Sequence, residues 1–361
     1  MEFLKNAWYV AAWADELGEA TLVGRTILER PVLLFRQRDG TAKAIGNRCP
    51  HRFAPLSMGR HVGDSVQCGY HGLEFNGTGA CSHNPFGGSE GRYPAKVPSY
   101  PLVERHAALW IWMGDDAPDE TLIPDSLSFM TDPSRREAHG LFEVAANYAL
   151  LNDNLMDLSH GIFLHQGALS TTEMLKNYNP KVSQEGDRIL SQRQSPGIVP
   201  PSLWTPGLAP GVERVDFFSH LEWNRASNVV LEVGCTPLGQ PFRSPGELTG
   251  LNANLFTPET RTSTHYFWAF SRNFALDNED VDRHVRATTN HAFVNEDKPM
   301  LEAQQRMIGD TELMSLQPVL LRTDNAAVRV RRLLQRMIDA ERARAAPPAE
   351  ADARELQPAE A

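Results

Sequence analysis

Short apolar segments separated by glycine, proline and aspartate fill the first third of the chain. Asp39-Gly40 lies between two β-rich runs, and this dipeptide is typical of a tight hairpin turn. Segments with the length and composition of strands cover residues 25–28, 32–36, 42–45, 65–68 and 109–113. The pattern therefore predicts an all-β N-terminal region.

The pattern changes after a break at residues 114–118, where Gly-Asp-Asp-Ala-Pro interrupts any periodicity. Apolar alternation between Thr264 and Trp268 is compatible with a sheet that is buried on one face. The predicted strands of this second region cover residues 141–146, 215–223, 228–235, 249–256 and 262–270. Helices are predicted at residues 148–160, at residues 278–308, and from Asp324 onward, where a single apolar stripe recurs.

These elements predict an α+β fold with two domains. Residues 1–118 would form the all-β domain, and residues 119–342 would form a domain with an antiparallel sheet and helices. Residues 343–361 are rich in alanine, glutamate, arginine and proline, which predicts a disordered tail.

Composition and charge exclude several classes of partner. The 361 residues carry a formal net charge of −10, whereas nucleic-acid-binding proteins present a basic face. No apolar run approaches the length of a membrane span, and the first residues lack the pattern of a secretory signal. We therefore predict a cytoplasmic protein with no membrane and no nucleic-acid partner.

Two short arms combine one thiol and one imidazole each, Cys49-x-His51 and Cys68-x-x-His71. Structural zinc sites more often have arms of one ligand type, so the mixed arms favour a cluster of two irons over a zinc ribbon. Cys49 and Cys68 would hold one iron, and His51 and His71 the other, which is the Rieske arrangement. Thiolates that must stay on iron also suit a reducing cytoplasm.

A second group of ligand-type residues lies between Asn152 and His165. Asn154, Asp157 and His160 are three residues apart, so a helix would place them on one face. His160 and His165 are five apart and would face one ion only if the helix ends or bulges between them, with Gly161 the predicted break. Two imidazoles and one carboxylate form the facial triad of non-haem iron oxygenases, whereas a pair of ordinary packed histidines is the alternative.

The sequence resembles the Rieske non-haem iron oxygenases, in particular the oxygenase components of the vanillate O-demethylase and dicamba monooxygenase group. The resemblance rests on the segments NAWYVAAW, CPHRFAPLS, CGYHGLEF, DNLMDLSH, SRNFALD and EDKPMLEAQQ. It implies a Rieske domain followed by a helix-grip catalytic domain, with one 2Fe–2S cluster and one mononuclear iron(II). It also implies Asp297 as the third iron ligand, with Glu296 as the competitor.

The resemblance further implies the reaction and the partners. Electrons from an NADH-dependent flavin and 2Fe–2S reductase, or from a ferredoxin and its reductase, would reach the iron through Asp157, with Asn154 tuning the site. Oxygen would then hydroxylate the O-methyl group of a small aromatic acid, and the product would collapse to a phenol and formaldehyde. Head-to-tail homotrimers are expected.

Two other functions remain open at the level of sequence. One is ring or angular dioxygenation of an aryl ether or of a sulfonated or carboxylated aromatic. The other is a ferredoxin-like electron-transfer protein or a metal-stabilised binding module, although the second motif and the length argue against a lone ferredoxin. A polar anchor for the substrate carboxylate is expected, and Asn254, His265 and Arg225 are the candidates.

Overall fold

The computed structural model describes residues 2–87, 95–165, 167–175 and 178–345. The last helix continues to Ala345, so residues 343–345, which were predicted to belong to a disordered tail, are helical. The rest of that predicted tail, residues 346–361, lies outside the described residues. No helix in the described part of the chain is long and apolar enough to cross a membrane.

Small antiparallel sheets build the N-terminal region. The strands pair in the orders β1-β11-β10, β2-β3-β4-β9 and β5-β6-β7-β8. The predicted hairpin at Asp39-Gly40 joins β3 to β4, and Gly40 has a φ of 84°. The strands are β1 (Trp8–Trp13), β2 (Val23–Ile27), β3 (Arg30–Arg36), β4 (Ala42–Gly46), β5 (Arg60–Val62), β6 (Ser65–Gln67), β7 (Glu74–Asn76), β8 (Cys81–His83), β9 (Ser99–Tyr100), β10 (Leu102–Arg105) and β11 (Ala108–Trp112).

A single antiparallel sheet forms the body of the C-terminal region, in the order β12-β18-β17-β16-β15-β14-β13. Two of its strands, β13 and β14, have no apolar run that would reveal them in the sequence. The strands are β12 (Arg136–Val144), β13 (Lys181–Glu185), β14 (Arg188–Ile198), β15 (Val215–Asn224), β16 (Asn228–Pro237), β17 (Leu248–Thr260) and β18 (Ser263–Arg272).

Helices lie against one face of this sheet, and the α+β prediction is confirmed. The helix predicted at residues 278–308 is continuous but contains a π-helical turn, Ala292–Asp297, between two α-helical parts. Asn278 caps it by accepting hydrogen bonds from two backbone N–H groups. The α-helices are α1 (Tyr148–Met156), α2 (Gly161–Leu164), α3 (Glu279–His291), α4 (Lys298–Ile308) and α5 (Asn325–Ala345).

Strand β18, in which the alternation was seen, is buried on both faces and not on one as that pattern indicated. Along β18, Tyr266 and Trp268 belong to the core on the helix side, whereas Phe267 belongs to a second apolar cluster on the other side. That second cluster contains Trp8 and Trp110 of the N-terminal region. The N-terminal region thus covers the outer face of the sheet and leaves the inner face for a cavity. We propose a domain boundary at residue 118, in the connection that follows β11.

Candidate metal centres and substrate cavity

Each predicted cluster arm is a loop closed by backbone hydrogen bonds. The N–H of Cys49 donates to the carbonyl of Ala54 at 2.9 Å, and the N–H of Cys68 donates to the carbonyl of Leu73 at 2.7 Å. Gly72 has a φ of 74°, a conformation that favours glycine. Both arms therefore present their ligand-type residues at tight turns between strands.

The thiols of the arms are buried and the imidazoles lie nearer the surface. Cys49 is 1% exposed and Cys68 is 3% exposed, and burial raises the pKa of the Cys49 thiol. The rings of His51 and His71 have centroids 4.5 Å apart. Nδ1 of His71 is buried and has no hydrogen-bond partner in the described part of the chain. Two buried thiols and an unpartnered imidazole nitrogen are a donor set that fits an iron–sulfur cluster.

The second predicted site brings together two imidazoles and one carboxylate. Nε2 of His160 lies 3.4 Å from Oδ1 of Asp297, and Nε2 of His165 lies 3.1 Å from Oδ2 of the same residue. The three ligand atoms lie within 4.8 Å of one another. Nδ2 of Asn154 donates to Oδ1 of Asp297 at 3.1 Å. This arrangement fits the two-histidine, one-carboxylate site of non-haem iron enzymes.

In both histidines a hydrogen bond at Nδ1 orients the ring so that Nε2 faces the Asp297 carboxylate. Nδ1 of His160 donates to the backbone carbonyl of Asp157 at 2.7 Å, and Nδ1 of His165 donates to Oε2 of Glu296 at 2.6 Å. In this tautomer the Nε2 lone pair of each ring faces Asp297, and Nε2 of His160 also accepts a hydrogen bond from Nδ2 of Asn154 at 3.4 Å. Glu296, the predicted competitor of Asp297, is therefore placed as a supporting group of His165.

The helix break lies earlier than Gly161, the position predicted for it. Helix α1 ends at Met156, Asp157 has an extended backbone, and His160 is the N-cap residue of the short helix α2. A Cβ at Gly161 would lie 3.0 Å from Oγ of Ser170 and 3.4 Å from Cδ2 of His165, so a larger residue there would crowd both side chains.

Asp157 occupies the turn between the two short helices. Its Oδ1 accepts hydrogen bonds from the N–H of Ser159 at 2.9 Å and from the hydroxyl of Tyr178 at 3.1 Å. Burial raises the pKa of Tyr178, so the hydroxyl stays a donor. Tyr178 follows Asp157 by 21 residues in a segment without a motif, so no local pattern predicts this contact.

A cavity of about 170 Å³ lies between the helices and the inner face of the sheet, and the triad borders it. An apolar cavity of about 150 Å³ is enough to hold benzene, so there is room for one small aromatic ring. Its apolar lining includes Leu155, Leu158, Leu203, Trp204, Phe217, Leu231, Val233, Trp268, Phe270 and Phe293.

Of the three residues predicted to anchor a carboxylate, two lie away from the cavity, and the third already uses an amide N–H toward the carbonyl of Val229. Asn254 lines the cavity, but its Oδ1 accepts a hydrogen bond from the Tyr266 hydroxyl at 2.5 Å. His265 lies on the other face of the sheet, 3.0 Å from the carbonyl of Thr26, and Arg225 forms a surface ion pair. The cation at the cavity is Arg193 of β14, which was missed because β14 is a polar strand.

Comparison with known proteins identifies the two halves of the chain separately. Residues 7–101 match the Rieske [2Fe-2S] domain, and residues 144–340 match the vanillate O-demethylase oxygenase C-terminal domain. The chain is 40% identical to the oxygenase component of chloroacetanilide N-alkylformylase from Rhizorhabdus wittichii, over 94% of this chain and 97% of the relative. It is also 40% identical to the oxygenase component of dicamba O-demethylase from Stenotrophomonas maltophilia, over 93% of this chain and 98% of the relative.

Solved structures of dicamba monooxygenase have the same fold. The complex with dicamba superposes with a TM-score of 0.87 at 39% identity and covers 95% of this chain and 100% of that chain. A second structure, with non-haem iron and dicamba, gives a TM-score of 0.81 at 38% identity, again over 95% and 100%. These likenesses confirm the expected cofactors, one Rieske 2Fe–2S cluster and one mononuclear non-haem iron. An oxygenase component of this kind consumes O2 and receives its electrons from a separate reductase or ferredoxin. The chain therefore belongs to the Rieske non-haem iron oxygenases, as an oxygenase component of the vanillate and dicamba O-demethylase group.

Proposed function

We propose that this chain is a cytoplasmic terminal oxygenase that O-demethylates a methoxylated aromatic acid similar to vanillate or dicamba. Its electrons come from an NADH-dependent reductase with a flavin and a 2Fe–2S cluster, or from a ferredoxin and its reductase. The observation that carries the proposal is a cavity large enough for one ring, bordered by the His160, His165 and Asp297 triad.

The proposed cluster ligands are Cys49 and Cys68 on one iron and His51 and His71 on the other. Support comes from the buried thiols, from the 4.5 Å separation of the imidazole rings, and from the unpartnered Nδ1 of His71. When bound, the cluster supplies electrons one at a time and the mononuclear iron supplies the activation of dioxygen.

At the proposed iron site the chain provides ligands on one side only. His160 and His165 present Nε2, and Asp297 provides the negative charge that offsets part of the metal charge. Asn154 restrains the Asp297 carboxylate through its amide. On the remaining side the apolar lining of the cavity excludes water and confines an aromatic ring beside the triad.

We also propose a head-to-tail homotrimer in which Asp157 bridges His71 of the partner subunit and His160. Two exposed apolar surfaces support this. Around the cluster arms, Phe53, Met58 and Tyr70 are exposed. Beside Asp157 and His160 runs a surface groove that is lined in part by Met300, Met307, Val319 and Leu320, all of them exposed. Exposed apolar surfaces of this kind mark interaction sites.

Product analysis of the reconstituted system tests the reaction. Incubation with methoxylated benzoates, NADH, O2 and a surrogate reductase should release formaldehyde and one phenol for each acid consumed. A cis-diol or a split diaryl ether would show dioxygenation instead. Metal analysis tests the class of protein: about three irons per chain are expected for an oxygenase, and two for an electron carrier.

N-Dealkylation is the second candidate reaction, because a relative at 40% identity is named a chloroacetanilide N-alkylformylase. The two reactions take different substrates, since an anilide carries no anionic group. A direct comparison of anilides and methoxylated acids as substrates separates them.

A further inference from the structure

Arg193 is a buried cation in the wall of the substrate cavity. It lies on β14, it is 8% exposed, and it lines the cavity together with the iron triad. One guanidinium nitrogen, Nη2, makes a long contact of 3.8 Å with the sulfur of Met174. The other, Nη1, is buried and has no hydrogen-bond partner among the described residues.

The charge of Arg193 has no carboxylate partner in the described part of the chain within ion-pair distance. Its guanidinium carbon lies 4.7 Å from the ring centroid of Tyr178, whose hydroxyl is committed to Asp157. Burial lowers the pKa of Arg193, yet a guanidinium stays protonated in a protein. A buried cation with an unused donor is costly, and an anionic ligand would remove that cost.

The surroundings of Arg193 suit a carboxylate. Ser219 pairs directly with Arg193 across β14 and β15, is 4% exposed and lines the same cavity, so its hydroxyl is a second donor. A planar guanidinium matches the two oxygens of a carboxylate. Among the described residues that line the cavity, Arg193 is the one basic side chain outside the triad histidines.

We propose that Arg193, assisted by Ser219, binds the carboxylate of the substrate and holds the ring against the β14 wall of the cavity. This inference rests on the proposed function and refines it, because it makes an anionic group the required feature of the substrate. Arg193 is a specificity-determining residue that touches the substrate away from the reacting carbon.

Equilibrium binding to the enzyme loaded with both metals tests the proposal without turnover. Calorimetry under anaerobic conditions would compare the three monomethoxybenzoates with the corresponding methoxybenzamides, which have nearly the same shape and no charge. The intact enzyme should bind at least one acid about 10- to 100-fold more tightly than its amide, the scale of one charge-assisted hydrogen bond. Arg193→Gln should abolish that preference and leave amide binding within about threefold.

Two further variants separate anchoring from folding. Arg193→Lys keeps the charge and should retain part of the preference for the acid. Arg225→Gln removes a surface arginine that pairs with Asp187 and should leave both affinities unchanged. If Arg193→Gln no longer binds its metals, two other measurements test the proposal. These are the affinities of Arg193→Lys and the ratio of acid affinity to amide affinity in the intact enzyme. The proposal is overturned if the intact enzyme does not bind the acid more tightly than the amide. It is also overturned if Arg193→Gln keeps the preference for the acid.

Product analysis distinguishes a failure of this inference from a failure of the proposed function. Binding of acids that depends on Arg193, without formaldehyde release, would leave the anchor in place and refute O-demethylation. Formaldehyde release from acids and amides alike, unchanged in Arg193→Gln, would refute the anchor and leave O-demethylation in place. For an anchor of this kind, KM for the acid should rise with less change in kcat.

Discussion

Oε2 of Glu296 lies 2.6 Å from Nδ1 of His165, at the ring nitrogen opposite the one that faces Asp297. The two neighbouring carboxylates of this helix therefore contact the same imidazole at its two nitrogens. Asp297 is the proposed iron ligand, and the hydrogen bond to Glu296 favours the tautomer that the proposed ligand His165 would need.

Replacement of Glu296 by glutamine should weaken iron binding at the mononuclear site. The amide accepts a weaker hydrogen bond from Nδ1 of His165 and no longer favours the required tautomer, so we expect a loss of about 10- to 100-fold in iron affinity. Competition with a chelator measures this. Glu279→Gln, an exposed change on α3, is the control, and an unchanged iron affinity in Glu296→Gln would refute the supporting role.

Replacement of His160 by alanine should remove the mononuclear iron and leave the cluster in place. The cluster arms lie on separate loops of the N-terminal region, so their visible absorption should stay at the level of the intact protein. Iron and sulfide analysis should show two irons per chain instead of about three. An iron content equal to that of the intact protein would show that His160 is not a ligand.

Replacement of Asp157 by asparagine should leave both metals bound and block the passage of electrons. The side-chain oxygen can still accept hydrogen bonds from Ser159 and Tyr178, but the carboxylate charge is lost. We expect turnover to fall by about two orders of magnitude, the scale for loss of a positioned proton-transfer group. Single-turnover experiments should show the reduced cluster persisting. Tyr178→Phe is the matched control for the hydrogen bond alone, and normal turnover in Asp157→Asn would remove the bridge role.

His139 should make the stability of the protein depend on pH. Its ring nitrogens lie 3.1 Å from Glu137 and 3.2 Å from Asp15 of the N-terminal region. The hydrogen bond to Glu137 raises the pKa of His139 despite partial burial, and the charges of Glu137 and Asp15 add to the effect. The protonated form is thus favoured in the folded state, so its contribution is complete below the ordinary histidine pKa and is lost as the pH rises through the raised value.

Thermal unfolding of His139→Gln measures this contribution. The decrease in melting temperature relative to the intact protein should be larger at about pH 5.5 than at about pH 9. His284→Gln, an exposed change on α3, should show no such difference. A His139→Gln effect that is equal at both pH values would contradict the assignment.

The sequence predicts the parts of the sites that depend on spacing within a turn. Cys49 with His51, and Cys68 with His71, are each close in the chain, so a tight loop brings them together without information about the fold. The α+β architecture also followed from the apolar pattern, because β16, β17 and β18 are long runs of β-type residues.

Features that depend on distant pairing did not follow from the sequence. Arg193 and Tyr178 lie in polar segments. The register of β14 against β15 places Arg193 at the cavity, and Tyr178 contacts Arg193 and Asp157. The burial of β18 on both faces arises from the docking of Trp8 and Trp110, which no local pattern encodes. Glu296 and Asp297 point in different directions as neighbours on any helix do, and which of them faces the histidines depends on packing that the sequence does not show.

That π-helical turn, Ala292–Asp297, has a consequence for recognising active relatives of this protein. A π-helical turn takes one residue more than an α-helical turn, so a homologue with one residue fewer in this segment should regain a regular α-helix and keep its aspartate facing both histidines. A one-residue gap opposite residues 292–297 in an alignment is therefore compatible with an intact iron site, provided that the aspartate itself is present.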